Sequence, residues 1–476
     1  MEASCRNVAG TNVENESFRR VFESFGSRSR IEVTECCQLL RACNCDEHHF
    51  LAFAFLPKML KLRMLNESES SELVRALPVN LIRRMIADQY NDNWSSYCDL
   101  AVDILSVVLP NCSTEDASTF ECLIKPLHAS IVSRRDWKVD KLENSSSALL
   151  RISGGILDAD DVEDVVEVVS KFLYDKTDQL PSAILLRVTN DLLKRLVDEP
   201  KEVGKKGFLG RAAPNTLRVV IGRLLHASCL PEEYQSLCFT LSALLVRLLD
   251  FHWFEPDPEF LVLLAALTHV QFRVVLGDPL MIRVEDLIPC ATLGESFIQC
   301  VEEGEFLNDE QATAVSRSCR DCVAYVCEYV TECHRDKSIQ LDASIEMVVY
   351  RFLCSFLAVG GHQIINRNLV DDILPILIDV ARRACEGGDT SMAEMLLPSL
   401  SNFESLPNSC LGLIVMCMES QSSLESGAQF FTNLGYVIDE LKSRSDWYTQ
   451  EDVALAKQLA CKFHKIHLVE AFSKLR

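Results

Sequence analysis

Turn formers are scarce in this chain of 476 residues, which holds 18 glycines and 15 prolines. Average usage would supply roughly 33 and 24. β-sandwiches and propellers, which need a break about every ten residues, are excluded on that ground, as are collagen-like and low-complexity chains. Positive charge is also short. Forty-seven lysines and arginines face 69 acids, for a net charge of −22, so the chain as a whole repels nucleic-acid phosphate and anionic membrane surfaces. No run reaches the 18 uninterrupted apolar residues of a membrane span. The nearest, Leu237 to Phe251, is broken by Arg247 and Asp250 and reads as a buried amphipathic helix. The opening residues, MEASCRNVAGTNVENE, contain no apolar h-region, so no secretory signal is read there. The Asn-x-Ser sequons at Asn15, Asn66, Asn93, Asn111 and Asn144 accordingly carry no weight as glycosylation sites.

What is present is an ordinary globular composition, 48% hydrophobic and 24% charged, long enough for a large core. The 21 cysteines are an odd number in a long chain. They are read as reduced, small buried hydrophobes of a cytoplasmic protein rather than as a disulfide framework.

Helical periodicity recurs from end to end. Val162, Val165, Val166, Val169, Phe172 and Leu173 share one face, with Asp160, Asp161, Glu163, Asp164 and Glu167 crowded toward the N-terminus, where the helix dipole favours acids. Leu217, Val220, Ile221, Leu224 and Leu225 repeat the pattern, with Thr216 placed as an N-cap after Pro214. Leu237 to Leu248, Phe260 to Leu267, SIEMVVYRFLCSFLAV and LVDDILPILIDVARRA continue it. Helices at this spacing, with no period-2 strand between them, predict an all-α armadillo/HEAT-like α-solenoid of irregular repeats. An irregular globular bundle is the alternative, since no clean repeat signature stands out.

The expected organisation is a flexible N-terminus over 1–17, helical repeats over 18–197, a mobile loop over 198–215 and further helical repeats over 216–476. The loop, DEPKEVGKKGFLGRAAPN, carries three glycines, two prolines and the cations Lys201, Lys205, Lys206 and Arg211. ENSSSALLRISGG, residues 143–155, is also read as loose.

Motifs with chemistry are weak. GKKGFLG lacks the spacing, the preceding strand and the Ser or Thr of a phosphate loop. His334-Arg335-Asp336 has no asparagine five residues on and no glycine-rich loop upstream, so it is a coincidental kinase-like triplet. Cys319, Cys322, Cys327 and Cys333 with His334 have metal-ligand types, yet on a helix the cysteines fall in the sector of Val323, Val326 and Val330, which favours core packing over a zinc site. Cys36, Cys37, Cys43, Cys45, His48 and His49 also suit zinc by type, and ACNCDEHH is read as a loop, but no second ligand pair completes the set. There is no hydrolase elbow or metalloprotease helix. The expectation is no enzyme, no catalytic residue and no cofactor.

Three ordered segments carry a resemblance. They are FLAFAFLPKMLKLRMLNESESSELVRALPVNLIRRMI from Phe50, FLVLLAALTHVQFRVVLGD from Phe260, and ASIEMVVYRFLCSFLAV with NLVDDILPILIDVARRA and the later MLLPSL. Together they resemble the neurochondrin family. The resemblance implies an armadillo-like scaffold without enzymatic activity, linked to neurite outgrowth, kinase regulation, receptor cytoplasmic tails and small-GTPase endosomal traffic. The family implies a cytoplasmic location, in neuronal projections or at endosomes. It also implies membrane association through lipidated cysteines near the N-terminus, for which Cys5 is the candidate here, giving peripheral attachment at most. An acidic scaffold is expected to prefer basic segments of protein partners and to bind no nucleic acid. A HEAT-type adaptor in nuclear transport or vesicle traffic is the alternative reading.

Overall fold

The computed structural model describes residues 33–400 and 450–474, apart from 44, 61–64, 89–92, 155, 177–179, 199–207, 209, 228, 278–281, 337–340, 388, 390 and 463–465. The lipidation candidate Cys5 and the segment 1–17 lie outside the described residues, as does most of GKKGFLG. Among the described residues there are helices, turns and short 3₁₀ segments, and no strand. The chain divides into two compact units, Met1–Leu241 and Ser242–Arg476.

In the first unit the helices are α1 (Val33–Ala42), α2 (Asp46–Leu60), α3 (Glu67–Ala76), α4 (Val79–Ala87), α5 (Trp94–Val108), α6 (Thr114–Ser118), α7 (Ile124–Ser133), α8 (Val139–Ser153), α9 (Ala159–Asp175), α10 (Ala183–Asp198) and α11 (Ala213–Leu225). The division into units falls inside α12 (Glu232–Leu249). The second unit continues with α13 (Pro258–Val275), α14 (Val284–Glu303), α15 (Asp309–Arg335), α16 (Ala343–Ala358), α17 (Arg367–Glu386), α18 (Ser391–Leu400), α19 (Gln450–Lys462) and α20 (Ile466–Ser473).

Local chemistry starts these helices where they start. α3 and α15 open on reciprocal capping boxes: the Asn66 and Asn308 side chains accept from the backbone N–H of Glu69 and Gln311, whose own side chains return to the cap N–H. Asp257 caps α13, accepting from Phe260 N, with Pro258 in the first turn where its missing N–H costs nothing. α9 has the expected stripe: Val162, Val165, Val166, Val169 and Leu173 are buried, with Asp160 and Asp161 in the first turn. α13 is long and apolar enough to cross a membrane by length and composition, with a mean hydropathy of 1.3. Here its Phe260, Leu261, Leu264 and Phe272 are buried, and it packs on α14 and α15.

Helix pairing follows one rule in each unit. In the first, α4/α5, α7/α8 and α9/α10 are neighbouring pairs, and helices of successive pairs meet in two rows, α4–α7–α9–α11 and α2–α5–α8–α10. In the second, α13/α14, α15/α16 and α17/α18 pair, with rows α13–α15–α17 and α14–α16–α18. Two rows of stacked pairs are the layering of an α-solenoid, in which no pair buries its apolar face alone. Arginines tie successive helices within each row of the first unit. Arg195 of α10 donates to the Leu150 carbonyl at 2.8 Å and to Ser153 Oγ at 2.6 Å at the end of α8. Arg223 of α11 donates to the Tyr174 carbonyl near the end of α9 and lies over the Tyr174 ring at 4.5 Å. Arg151 of α8 donates to the Cys112 carbonyl beyond α5. Each places a cation on carbonyls near a helix end, where the dipole is negative.

Several expectations differ from this arrangement. Residues 143–153, read as loose, belong to α8: Leu142, Leu149 and Ile152 are buried with Ser145, Ser146 and Ala148. Serine runs read as linker, but small side chains let helices approach closely. ACNCDEHH is not a loop throughout, since Asp46 to His49 open α2. Thr216 does not cap α11. That helix begins three residues earlier with Pro214 in its first turn, and the Thr216 hydroxyl donates back to the Ala212 carbonyl at 2.9 Å. Of the expected loop 198–215, residues 199–207 and 209 lie outside the described residues; at its ends Asp198 closes α10 and Ala213 to Asn215 open α11, and Phe208 is buried.

Candidate functional site

The cysteine clusters are core. Cys319, Cys322, Cys327 and Cys333 are buried on one face of α15, and Cys36, Cys37 and Cys43 are buried in and just after α1. Burial pushes the thiols of Cys43, Cys300, Cys319, Cys327 and Cys354 up to about 12, and those of Cys290 and Cys322 up as well. Neutral thiols of this kind are neither nucleophiles nor ready ligands at pH 7. Cys45 is exposed, and His49 Nδ1 lies 3.0 Å from the Cys45 carbonyl, a local turn contact. His334 and Arg335 sit in the last turn of α15, Arg335 pairs with Asp372 of α17 at 2.9 Å, and Asp336 caps the helix. The triplet is a helix end fastened to its neighbour.

The acids crowding the start of α9 serve packing. Arg211 donates to Glu163 at 3.0 Å and Asp164 at 2.5 Å, and the Ala213 N–H donates to Glu167 at 2.8 Å, fixing the start of α11 on α9. The Glu163 side chain is only 2% exposed. Burial pushes its pKa above the ordinary carboxylate range, with the Arg211 hydrogen bond and charge drawing it back.

Among the described residues, two of the concavities lie in the second unit. The first, about 430 Å³, is floored by Val349, Tyr350 and Leu353 of α16 and Ile376 and Val380 of α17. The charges here are paired: Arg383 with Glu346 at 3.0 Å and with Asp379 at 3.2 Å, and Arg382 with Asp379 at 2.6 Å. Asp379 is held below the ordinary carboxylate range by its hydrogen bond to Arg382, with the charges of Arg382 and Arg383 adding to it.

The second concavity, about 320 Å³, is a groove formed by Ile298, Val301 and Glu302 of α14, Ser316 and Cys319 of α15, and the turn from Phe356 to Ile364. Gly360 makes the turn possible by adopting φ 78°, and Gly361 lies so close to Phe356 that a Cβ would meet its ring at 2.4 Å. Val301, Val359 and Ile364 stand exposed at this groove, at 39%, 42% and 51%. Glu302, Glu303 and Glu305, all exposed, form no ion pair among the described residues. Of the groove residues the sequence singles out Cys319 alone, as core, and marks none of them as a binding site. The available signal was Val359-Gly360-Gly361 at the end of a strongly apolar helix, followed by Ile364 and Ile365 where a polar turn would be ordinary.

Comparison with known proteins places this architecture. The sequence-family model for neurochondrin matches residues 161–425, more than half the chain and the whole of both concavities. The chain belongs to the neurochondrin family. Curated proteins yield no match to it. Among solved structures, a chain from work on a conserved phosphorylation switch controlling the interaction between cadherin and β-catenin is similar at 11% identity and a TM-score of 0.55, covering 99% of this chain and 96% of that one. An engineered protein is similar at 14% identity and a TM-score of 0.48, over 93% of this chain and 97% of its own. The β-catenin-related likeness, with the two-row stacking, makes the fold an armadillo-type α-solenoid.

Proposed function

We propose that this member of the neurochondrin family is a non-enzymatic scaffold that works by binding other proteins through the helical surfaces of its repeats. The observation that carries the reading is the apolar groove of the second unit, lined in part by Glu302, which forms no ion pair among the described residues, on a fold of stacked helix pairs suited to holding a partner segment. Family membership supports signalling and trafficking proteins as partners: kinase regulatory regions, receptor cytoplasmic tails and small-GTPase pathway components, in a cytoplasmic setting that includes neuronal projections and endosomes. The net charge of −22 supports basic segments within those partners.

Affinity purification of the full chain from cell extract, washed at rising ionic strength, tests this. Stoichiometric protein partners released progressively by salt are the expected result. Partners carrying nuclear-transport signals or vesicle-coat components would shift the reading to a HEAT-type adaptor. A chain that retains no protein, or that arrives with a cofactor and turns over a small molecule, would contradict it.

A further inference from the structure

We propose that the groove between α14, α15 and the α16–α17 turn docks a basic amphipathic helix of a partner, its apolar face on Val301, Val359 and Ile364 and its cations toward Glu302 at the acidic end of α14. The inference rests on the scaffold reading above and assigns it a place and a ligand chemistry.

Shape comes first. A cavity of about 320 Å³ has room for about two leucine-sized side chains, the anchors that one face of a helix presents at i and i+3 or i+4. Its three exposed aliphatic residues come from two segments far apart in sequence, Val301 from α14 and Val359 and Ile364 from the α16–α17 turn. They form a single apolar site rather than scattered surface residues.

Charge then selects the occupant. Helix C-termini are negative and ordinarily carry cations in their last turn. α14 and α16 both end at this groove, and neither has a basic residue in its last turn. α14 instead ends on Glu302 and Glu303, with Glu305 just beyond. Exposed Arg317, beside Ser316, is the nearby cation on α15, whereas Arg320 is taken up by Asp321. Acids stacked on a negative helix end repel it, and a cationic flank on a bound segment relieves that repulsion. The larger concavity lacks this drive, because Arg382 and Arg383 together already neutralise Glu346 and Asp379. An anionic membrane and a second copy of a chain with net charge −22 are both repelled by the same acids.

The test uses the full chain and a fluorescein-labelled peptide of about 15 residues built from leucine and lysine, its leucines on one helical face. Two control peptides accompany it, one with the same composition but leucines spread around the helix, the other with glutamate for lysine. Fluorescence anisotropy is expected to show saturable binding of the first peptide and at least tenfold weaker binding of both controls. Ile364→Asp and Val359→Asp should each weaken binding tenfold or more. Glu302→Lys should weaken it several-fold and flatten its salt dependence. Val274→Asp, at an exposed position on α13 outside the groove, should leave it unchanged. Because the substituted side chains are exposed, circular dichroism and the thermal midpoint are expected to match wild type, and any variant that melts early is replaced by the other groove variant. Absence of saturable binding by wild type, equal binding of the spread-leucine peptide, or unchanged affinity in both groove variants overturns the proposal. Affinity purification with Ile364→Asp separates the two levels. If that variant still captures the wild-type partners, the groove assignment falls and the scaffold reading stands. If wild type captures none, the scaffold reading falls.

Discussion

Glu163 shows how a single residue can be costly to charge and still be retained. Its carboxyl is buried between α9 and the start of α11, bonded by Arg211, and burial holds its pKa above that of an exposed glutamate. The folded state therefore keeps the proton at pH values where the unfolded chain has released it. As pH rises from the ordinary carboxylate value through the raised one, the folded state loses stability relative to the unfolded. Glu163→Gln is predicted to remove that loss, so that stability from urea unfolding between about pH 4 and pH 7 falls less steeply in the variant. An identical slope would contradict the assignment. The acidic face of α9 was legible in the sequence as an amphipathic pattern. That one of its acids is buried was not, because the partner arginine lies 48 residues away and depends on where α11 starts.

At the scale of elements, arginines that reach from one helix to the end of the next-but-one fasten successive helix pairs whose apolar faces are already stacked. Arg195→Ala would leave the Leu150 carbonyl and Ser153 hydroxyl without their charged donor, at a cost of about 2 kcal/mol. The predicted signature is a lower urea midpoint with faster amide exchange over the last turn of α8. A variant that exchanges like wild type there would contradict the role. Helix existence was well marked in the sequence wherever an apolar stripe was bordered by acids, as in α9, or followed a capping residue and proline, as in α13. It was poorly marked where small residues do the packing. Ser145 and Ser146 are buried in α8, and Gly294 lets Phe352 approach so closely that a Cβ there would lie 2.5 Å from its ring. Serine and glycine carry no apolar signal, so close helix contacts built from them look like linkers in one dimension. The displaced start of α11 has a similar origin: proline suits a first turn better than threonine suits the cap two residues later.

For the whole molecule, the sequence already carried fold class, family and charge, and the structure adds a location to the charge. Spread over 476 residues, a net of −22 argues only against polyanions. At the end of α14, Glu302 lies beside exposed Val301, Val359 and Ile364 with no ion pair among the described residues, the combination on which the proposed basic partner rests. The groove was invisible in the sequence because its walls come from residues 298–302, 316–319 and 356–364, whose meeting depends on the stacking of three helices. The central claim is that this neurochondrin-family chain acts by holding a basic helical segment there. Hydrogen–deuterium exchange of the intact chain, with and without the leucine–lysine peptide at saturation, tests it most directly. The account predicts new protection concentrated in 298–305 and 356–366. Protection confined to the first unit or to the Arg383 concavity, or spread evenly over the acidic surface, would contradict it.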